Sequence, residues 1–380
     1  MELKEYREEI DKLDKELVSV FSKRMEVAAG IAGYKKEHAL PVYDGARERE
    51  KLLAVREMAP EALRDYTVQL YSLLFDLSRS YQNRLLGGET ALTRQIADAI
   101  EHTDKLFPDT AMVACQGVEG AYSQLACDKL FKLPSVFFFS TFGAVFSAIE
   151  SGLCRYGVIP VENSTAGSVN AVYDLMMKHD FRIVRSIRLK VDHNLLVKPG
   201  TKTEDIKEIY SHAQALSQCS GFLQKFPKAK IIPCENTAIA AKRVAESETG
   251  GKAAISSSLC RKIYHLDCLA ENVQDQGNNT TRFICISKKP EIYPGADRTS
   301  LMMVLPHEAG SLYKVLSRFY ALGINLIKLE SRPMPERNFE FMFYFDLDTS
   351  VYSPSFLQLM GELETLCESF TYLGSYSEVV

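Results

Sequence analysis

Residues 3–37, LKEYREEIDKLDKELVSVFSKRMEVAAGIAGYKKE, decide how the first part of this chain folds. The stretch has no proline, and Leu3, Tyr6, Ile10, Leu13, Leu17, Val20, Arg24, Val27, Ile31 and Tyr34 recur at alternating steps of three and four. That spacing predicts a heptad seam on one long helix. Pro41 interrupts it, a second helix opens at Asp44, a good N-cap, and a third runs from about Arg64 to Leu85, stopping before Gly87 and Gly88. Three helices, one far longer than the others, cannot close a compact core in one copy. An intertwined dimer is therefore expected.

An arginine on a seam is costly unless an anion meets it, because a buried unpaired charge costs several kcal/mol. Arg24 holds such a position. Lys35 lies nearly on the same face, about 16 Å further along at 1.5 Å per residue, so both side chains can converge on one small ligand. Arg7 is about 25 Å from Arg24 by the same rise, too far within one helix. In an antiparallel dimer, Arg7 of the partner subunit could reach the site. The second helix adds Asp44, Arg47 and Glu48, and the third adds Ser78 and Gln82, four apart on one face.

Outward from this segment the composition changes. Residues 1–88 contain 31 charged positions, whereas the remaining 292 contain 63, which marks a domain boundary. A helical linker is expected over 89–108. From 109 to 289, short apolar runs (AMVAC, VFFFS, YGVIPV, KIIPC, AAISSS, RFICIS) alternate with helical stretches such as 169–178 and 236–246. That alternation predicts an α/β domain with about eight strands, most economically two lobes around a cleft. Beyond a Pro/Gly linker, residues 299–380 read as βαββαβ. In its fourth element Phe339, Phe341, Phe343, Phe345 and Leu347 alternate with Glu340, Met342, Tyr344, Asp346 and Asp348, and the first set is expected to face the core.

The 380 residues carry 45 Lys+Arg against 49 Asp+Glu, a net charge of −4, and 46 % apolar types. This is an ordinary globular composition, and the balance argues against nucleic acid as the main ligand. Nine cysteines without a C-x-x-C pair and seven histidines without ligand spacing suggest neither a disulfide framework nor a metal site, and no cofactor is implied. The opening MELKEYREEI is charged where a signal peptide is apolar, and the longest apolar stretch, 136–149, is too short to span a membrane. A cytoplasmic enzyme or sensor acting on small molecules, with no membrane or nucleic-acid partner, is the expectation.

The polar positions of the first segment, Arg7, Arg24, Lys35, Asp44, Arg47, Glu48, Ser78 and Gln82, resemble the pocket of the all-helical chorismate mutases over residues 1–88. The resemblance implies that Arg7 of the partner subunit, Arg24 and Arg47 hold the carboxylates of chorismate. Lys35 and Gln82 would bond the ether oxygen and Glu48 the ring hydroxyl, with Asp44 and Ser78 completing the pocket. A pericyclic rearrangement needs only a compact conformer and donors aimed at developing charge.

Four polar strings follow apolar runs in the central segment: Gly117–Ser123, Pro160–Ser168 (PVENSTAGS), Ser211–Gln218 (SHAQALSQ) and Asn278–Phe283 (NNTTRF). Each alone reads as capping or turn chemistry. Together they resemble prephenate dehydratase, with Thr281-Arg282-Phe283 as the most specific signature and Glu162-Asn163-Ser164 next. The resemblance implies two lobes arranged like a type II periplasmic binding protein, with prephenate in the interlobe cleft. Thr281 would donate a proton to the departing ring hydroxyl, aided by a neighbour such as Ser164 or a water. Arg282 would hold a carboxylate or support the loop, Asn163, Ser164 and Gln214 would bind polar groups, and Phe283 would line the pocket. Ala213 stands where that family usually has proline.

The C-terminal βαββαβ segment resembles the ACT domain, a ferredoxin-like α+β module that binds amino acids, through Gly310-Ser311-Leu312 at its first strand-to-helix turn. Glu330-Ser331-Arg332-Pro333 narrows the resemblance to the phenylalanine-sensing kind. The resemblance implies that L-phenylalanine is the effector and that Arg332 and Glu330 pair with its two charges. Ala309, Ser311 and Tyr313 depart from the family pattern. The expectation is a three-part homo-oligomer, at least a dimer and with a tetramer open. It would convert chorismate to prephenate and prephenate to phenylpyruvate under phenylalanine inhibition. Its rival is a non-catalytic amino-acid sensor whose helices serve only as a dimerisation arm.

Overall fold

The computed structural model describes the chain apart from residues 1, 39, 87–89, 335–339 and 354–355. Gly87, Gly88 and Phe339, used above, lie outside the described residues. The chain divides into two compact units, residues 1–93 with 358–362, and residues 94–357 with 363–380.

The first unit is built on α1 (Leu3–Glu37), α2 (Gly45–Met58) and α3 (Arg64–Leu86). The seam expected from the heptad spacing is one unbroken helix of 35 residues. Only Ala28 and Ala32 of α1 are buried, whereas Leu3, Tyr6, Ile10, Leu13, Leu17, Val20, Val27, Ile31 and Tyr34 are exposed in the single chain. Asp44 caps α2, its carboxylate accepting the backbone N–H of Arg47 at 3.0 Å. A further helix, α4 (Ala91–His102), falls in the expected linker.

The second unit opens with β1 (Thr110–Gln116), α5 (Tyr122–Leu130), β2 (Leu133–Phe139), α6 (Phe142–Glu150), β3 (Tyr156–Asn163), β4 (Gly167–Ser168), α7 (Asn170–Met176) and β5 (Arg182–Lys190). The chain then crosses to a second lobe made of β6 (Asn194–Val197), β7 (Glu208–His212), α8 (Ala213–Gln218), α9 (Ser220–Leu223), β8 (Lys230–Cys234), α10 (Thr237–Glu246), β9 (Lys252–Ser256), α11 (Ser258–Ile263) and β10 (Asp267–Ala270). It returns as β11 (Thr280–Ser287), which inserts antiparallel between β3 and β5 of the first lobe. Two crossings, near 190–194 and 270–280, thus join two sheets, and the two-lobed reading describes the fold.

The C-terminal part follows the predicted order: β12 (Arg298–Val304), α12 (Ser311–Ala321), β13 (Asn325–Pro333), β14 (Phe341–Asp348), α13 (Phe356–Leu366) and β15 (Ser369–Tyr376). Its four strands lie in the order β13-β14-β12-β15. A last short strand, β16 (Glu378–Val379), leaves this sheet and pairs in parallel with β5 of the first lobe. This tail lies within the expected limit of 299–380 yet completes the first lobe's sheet.

The expectation that one face of β14 is core needs correction. Met342, Tyr344 and Asp346, on the supposed outer face, are buried, while Phe341 is 42 % exposed. The cause is that this face of the sheet lies on the first lobe. Met302, Val304, Met342 and Tyr344 share one apolar cluster with Phe146, Tyr173 and Ile284, so both faces of the sheet are covered. Among the described residues, no helix is long and apolar enough to cross a membrane.

Candidate active sites

Between the lobes lies a cleft of about 390 Å³. The first lobe contributes Gln116, Gly117, Tyr122, Ser123 and Asn163, the returning strand Thr281 and Phe283, and the second lobe His212, Gln214, Gln218, Asn236 and Thr237. Gly117 lines the near rim, and Gly120 lies in the same loop against the facing lobe. Both have positive φ, and a Cβ on Gly120 would lie 2.6 Å from the Cys260 sulfur of the facing lobe, so only glycine fits there.

The register of β3 and β11 builds the centre of the site. Thr281 pairs with Asn163, and Arg282 with Glu162. Because successive side chains on a strand point to opposite faces, Asn163 and Thr281 meet in the cleft. The Asn163 Nδ2 group donates to the Thr281 hydroxyl oxygen at 2.9 Å and to Asn279 Oδ1 at 2.7 Å. Asn163 Oδ1 accepts the backbone N–H groups of Thr165 and Ala166 and the Thr165 hydroxyl, which fixes the amide's orientation.

Gln218 closes this network across the cleft, donating to Thr165 Oγ1 at 2.6 Å and accepting from Asn279 Nδ2 at 3.0 Å and from His193 Nε2 at 3.1 Å. Since the amide oxygen can only accept, His193 carries its proton on Nε2. Burial pushes the His193 imidazole below its ordinary pKa, against the opposing pull of the Gln218 bond. Gln218, Asn279 and His193 were not among the sequence candidates. Gln218 ends the string that supplied Gln214, one helical turn further on, and that i, i+4 spacing was a usable signal.

Several sequence candidates sit elsewhere. Arg282 is buried on the opposite face of β11 from Thr281. Its guanidinium donates to Asp346 and to the Tyr376 hydroxyl at 2.8 Å and forms an ion pair with Glu378 at 3.1 Å. Burial alone would lower its pKa, but Tyr376, Asp346 and Tyr344 overcome that and raise it. Strand alternation therefore turns Arg282 away from the cleft lining, a placement that suits the second of its two expected roles, support rather than direct contact. Ser164 turns to the 278–280 loop, donating to the Asn278 carbonyl at 3.1 Å and accepting from the Thr280 N–H at 2.9 Å; Asn163, not Ser164, is the neighbour of Thr281. Among the described residues that line the cleft there is no Lys or Arg. The starts of α5 and α10 open on the cavity, where Tyr122, Ser123, Asn236 and Thr237 line it beside the Glu235 carboxylate; N–H groups at helix starts favour anions.

In the helical unit, α3 brings Ser78 and Gln82 to buried positions, with Gln82 Nε2 donating to Ser78 Oγ at 3.2 Å. Gln82 Oε1 is buried without a hydrogen-bond partner. Arg24 reaches α3, donating to the Leu74 carbonyl at 3.3 Å and lying 5.8 Å from the Phe75 ring centre. Lys35 donates to the Val42 carbonyl. Glu48 is held by Arg79, which also pairs with Asp76; Arg79 was missed, although it directly follows Ser78. Arg47 is exposed and pairs with Glu50 at 2.8 Å, and Arg7 is exposed far up α1.

The C-terminal candidates fall into two groups. Gly310 begins α12 in the left-handed region at φ 85°. Ser311 and Leu312 line a hollow of about 140 Å³ with His307, Glu308, Phe341 and Phe343. Tyr313 points away and is 67 % exposed. Glu330 and Arg332 do not line this hollow. They face the first lobe, where Glu330 accepts from Ser168 Oγ at 2.5 Å and Arg332 makes a two-pronged bond to Asp174. Their charges are already matched within the chain. Ser331 and Pro333, between and beyond them on β13, are exposed.

Comparison with known proteins matches the same segments. The family model for prephenate dehydratase covers residues 113–291, and that for chorismate mutase type II covers residues 6–83. The bifunctional chorismate mutase/prephenate dehydratase of Aquifex aeolicus is 31 % identical over 389 residues, covering 100 % of this chain and 99 % of that protein. The chain belongs to the bifunctional chorismate mutase/prephenate dehydratases.

It is therefore an enzyme of phenylalanine biosynthesis with two activities, the mutase model falling on α1–α3 and the dehydratase model on the two lobes. Among solved structures, the prephenate dehydratase of Arthrobacter aurescens in complex with L-Phe is 26 % identical, with a TM-score of 0.65, covering 70 % of this chain and 90 % of that one. A structure described as GqqA, a novel type of quorum quenching acylase, is 29 % identical, with a TM-score of 0.64, covering 70 % of this chain and 97 % of that one. The sensor alternative is not favoured.

Proposed function

We propose that prephenate is dehydrated and decarboxylated in the interlobe cleft with Thr281 as the proton donor and Asn163 as its support. The observation that carries this reading is the Asn163 N–H bond to Thr281 Oγ1. A hydroxyl oxygen that already accepts this bond keeps its own O–H for the ligand. As the ring carboxylate leaves as carbon dioxide, its C–C bonding pair enters the ring and expels the ring hydroxyl. That oxygen takes the Thr281 proton and departs as water. The charge left on Thr281 Oγ1 meets the Asn163 N–H, an oxyanion-type contact in a site with fixed dipoles. Water then returns a proton to Thr281. Gln214 and Phe283 line the bound ring and side chain. The starts of α5 and α10 receive the two carboxylates, the part that Arg282 cannot play.

The mutase site lies on the three helices, with Arg24, Lys35, Ser78 and Gln82 at its centre, Asp44, Arg47 and Glu48 from α2, and Arg7 from the partner subunit. Rotating the Gln82 amide would let Ser78 donate to Oε1 and free the Nε2 donor for the ether oxygen, which satisfies the unpartnered Gln82 Oε1. The exposed apolar stripe on α1 supports a dimer closed along this helix, since a stripe of this length exposed to water is unfavourable. The C-terminal sheet acts as an ACT module, and L-phenylalanine, the ligand of the Arthrobacter relative, is its effector and inhibits the dehydratase. The nine cysteines are free, in keeping with work in the cytoplasm.

Incubation with chorismate, reading phenylpyruvate with and without phenylalanine, tests the whole reading. Arg24→Ala is expected to stop chorismate use and leave prephenate turnover, and Thr281→Ala the reverse. Loss of both activities in both variants would overturn the assignment.

A further inference from the structure

The face of β13 that meets the first lobe carries Lys328, Glu330 and Arg332 at alternate positions. Lys328 Nζ donates to Glu162 at 2.6 Å and to Ser168 Oγ at 2.9 Å, and Ser168 in turn donates to Glu330. Glu162 and Ser168 are register partners across the β3–β4 hairpin. One lysine therefore bonds both strands at the base of the hairpin whose tip carries Asn163 and Thr165. Asn163 holds Thr281, and Thr165 holds Gln218 across the cleft.

The same alternation repeats one strand away. Glu162 and Arg282 are opposite each other on the back face of β3 and β11, while Asn163 and Thr281 are opposite each other on the front. Lys328 and Asp346 of the C-terminal sheet hold the back pair. Each reactive-face residue is thus one peptide unit from a residue gripped by the C-terminal sheet. A strand is stiff along that distance, so displacing the back pair displaces the front pair.

We propose that Lys328 is the coupling residue through which the C-terminal sheet sets the geometry of Asn163 and Thr281. The proposal deepens the regulatory reading above and rests on it. An effector that shifts β13 changes the hold on the hairpin base, and the hairpin tip follows. Coupling of this kind is a free-energy difference between two arrangements, and it disappears when the link is cut even though both sites persist.

Lys328→Met in the full-length protein cuts the link. The half-inhibitory concentration of phenylalanine for prephenate turnover is expected to rise about tenfold or more, with phenylalanine affinity by calorimetry kept within about threefold. Prephenate turnover without effector is expected to fall, but by less than the roughly tenfold change in inhibition, because the β3–β11 pairing still holds Asn163 opposite Thr281, with chorismate turnover unchanged. Backbone hydrogen exchange over residues 160–168 is expected to speed up, a readout that does not depend on phenylalanine. Unchanged inhibition together with unchanged exchange overturns the proposal, as does loss of phenylalanine binding in step with inhibition. If the variant is poorly folded, Ser168→Ala decides by the same two readouts, since it removes one hydroxyl from the same junction. A parent enzyme that phenylalanine neither binds nor inhibits would overturn the regulatory reading. In that event the exchange result alone decides whether Lys328 holds the hairpin.

Discussion

Asn163 donates its amide N–H to the hydroxyl oxygen of Thr281 at 2.9 Å, across the paired strands β3 and β11. The direction of that bond makes a sharp prediction. In Asn163→Asp the donor becomes an acceptor, so the Thr281 O–H turns toward the new carboxylate and away from the substrate. The loss of kcat on prephenate is expected to be about 100-fold or more, a loss typical of removing an oxyanion-type donor. Asn163→Ala is expected to lose less, because it removes the donor without misdirecting the proton. Steady-state kinetics on prephenate, with chorismate turnover as the internal control, measures both.

Much of this was legible beforehand. The heptad spacing on α1, the Asp44 cap and the βαββαβ order each rest on a local rule of spacing or capping, and each describes the structure. The strings around Asn163, Thr281 and Gln214 were likewise readable, since they lie at strand ends that converge on one cleft. Of the two roles open to Arg282, carboxylate ligand or support for the loop, spacing already favoured the second. With period-two alternation, Thr281 and Phe283 share a face that Arg282 cannot share. Its partner was not readable: Asp346 lies 64 positions away, on a face of β14 whose polar pattern suggested solvent. Likewise nothing local says that the tail at Glu378 returns to β5. Long-range pairing of charges is decided by how sheets stack, which spacing alone does not encode.

Arg282→Met tests the supporting role. The substitution strips Asp346 and Glu378 of a shared buried cation, and breaking a buried ion pair of this kind costs about 3–5 kcal/mol. Thermal unfolding is expected to show a marked fall in the melting temperature of the dehydratase transition. In Arg282→Lys, which keeps the charge but loses the planar fork, the KM for prephenate is expected to stay within about twofold of the parent. A large rise in KM without loss of stability would restore Arg282 as a substrate ligand.

His193 predicts a pH dependence of stability. Its pKa is lowered in the folded state, first by burial, so the unfolded chain binds its proton more readily than the folded one. Stability from this group is complete above the ordinary histidine value of about 6.5 and is lost as pH falls below it toward the depressed folded value. Melting temperatures between pH 7.5 and about 5 should therefore fall more steeply for the parent than for His193→Gln. Equal slopes would show that the ring is not held neutral.

Gln82 supplies the last prediction, for the mutase. An amide does not titrate, so with Gln82 as the donor to the ether oxygen the mutase rate is expected to be nearly flat from about pH 5 to 8. In Gln82→Glu the donor exists only while the carboxyl is protonated. Activity is then expected to be retained at the acid end and to fall about tenfold for each pH unit above the carboxyl's pKa, which burial raises from about 4.3. Chorismate disappearance measured across this range in both proteins checks the pair. A steep loss in the parent, or a flat profile in the glutamate variant, would show that some group other than Gln82 faces the breaking bond.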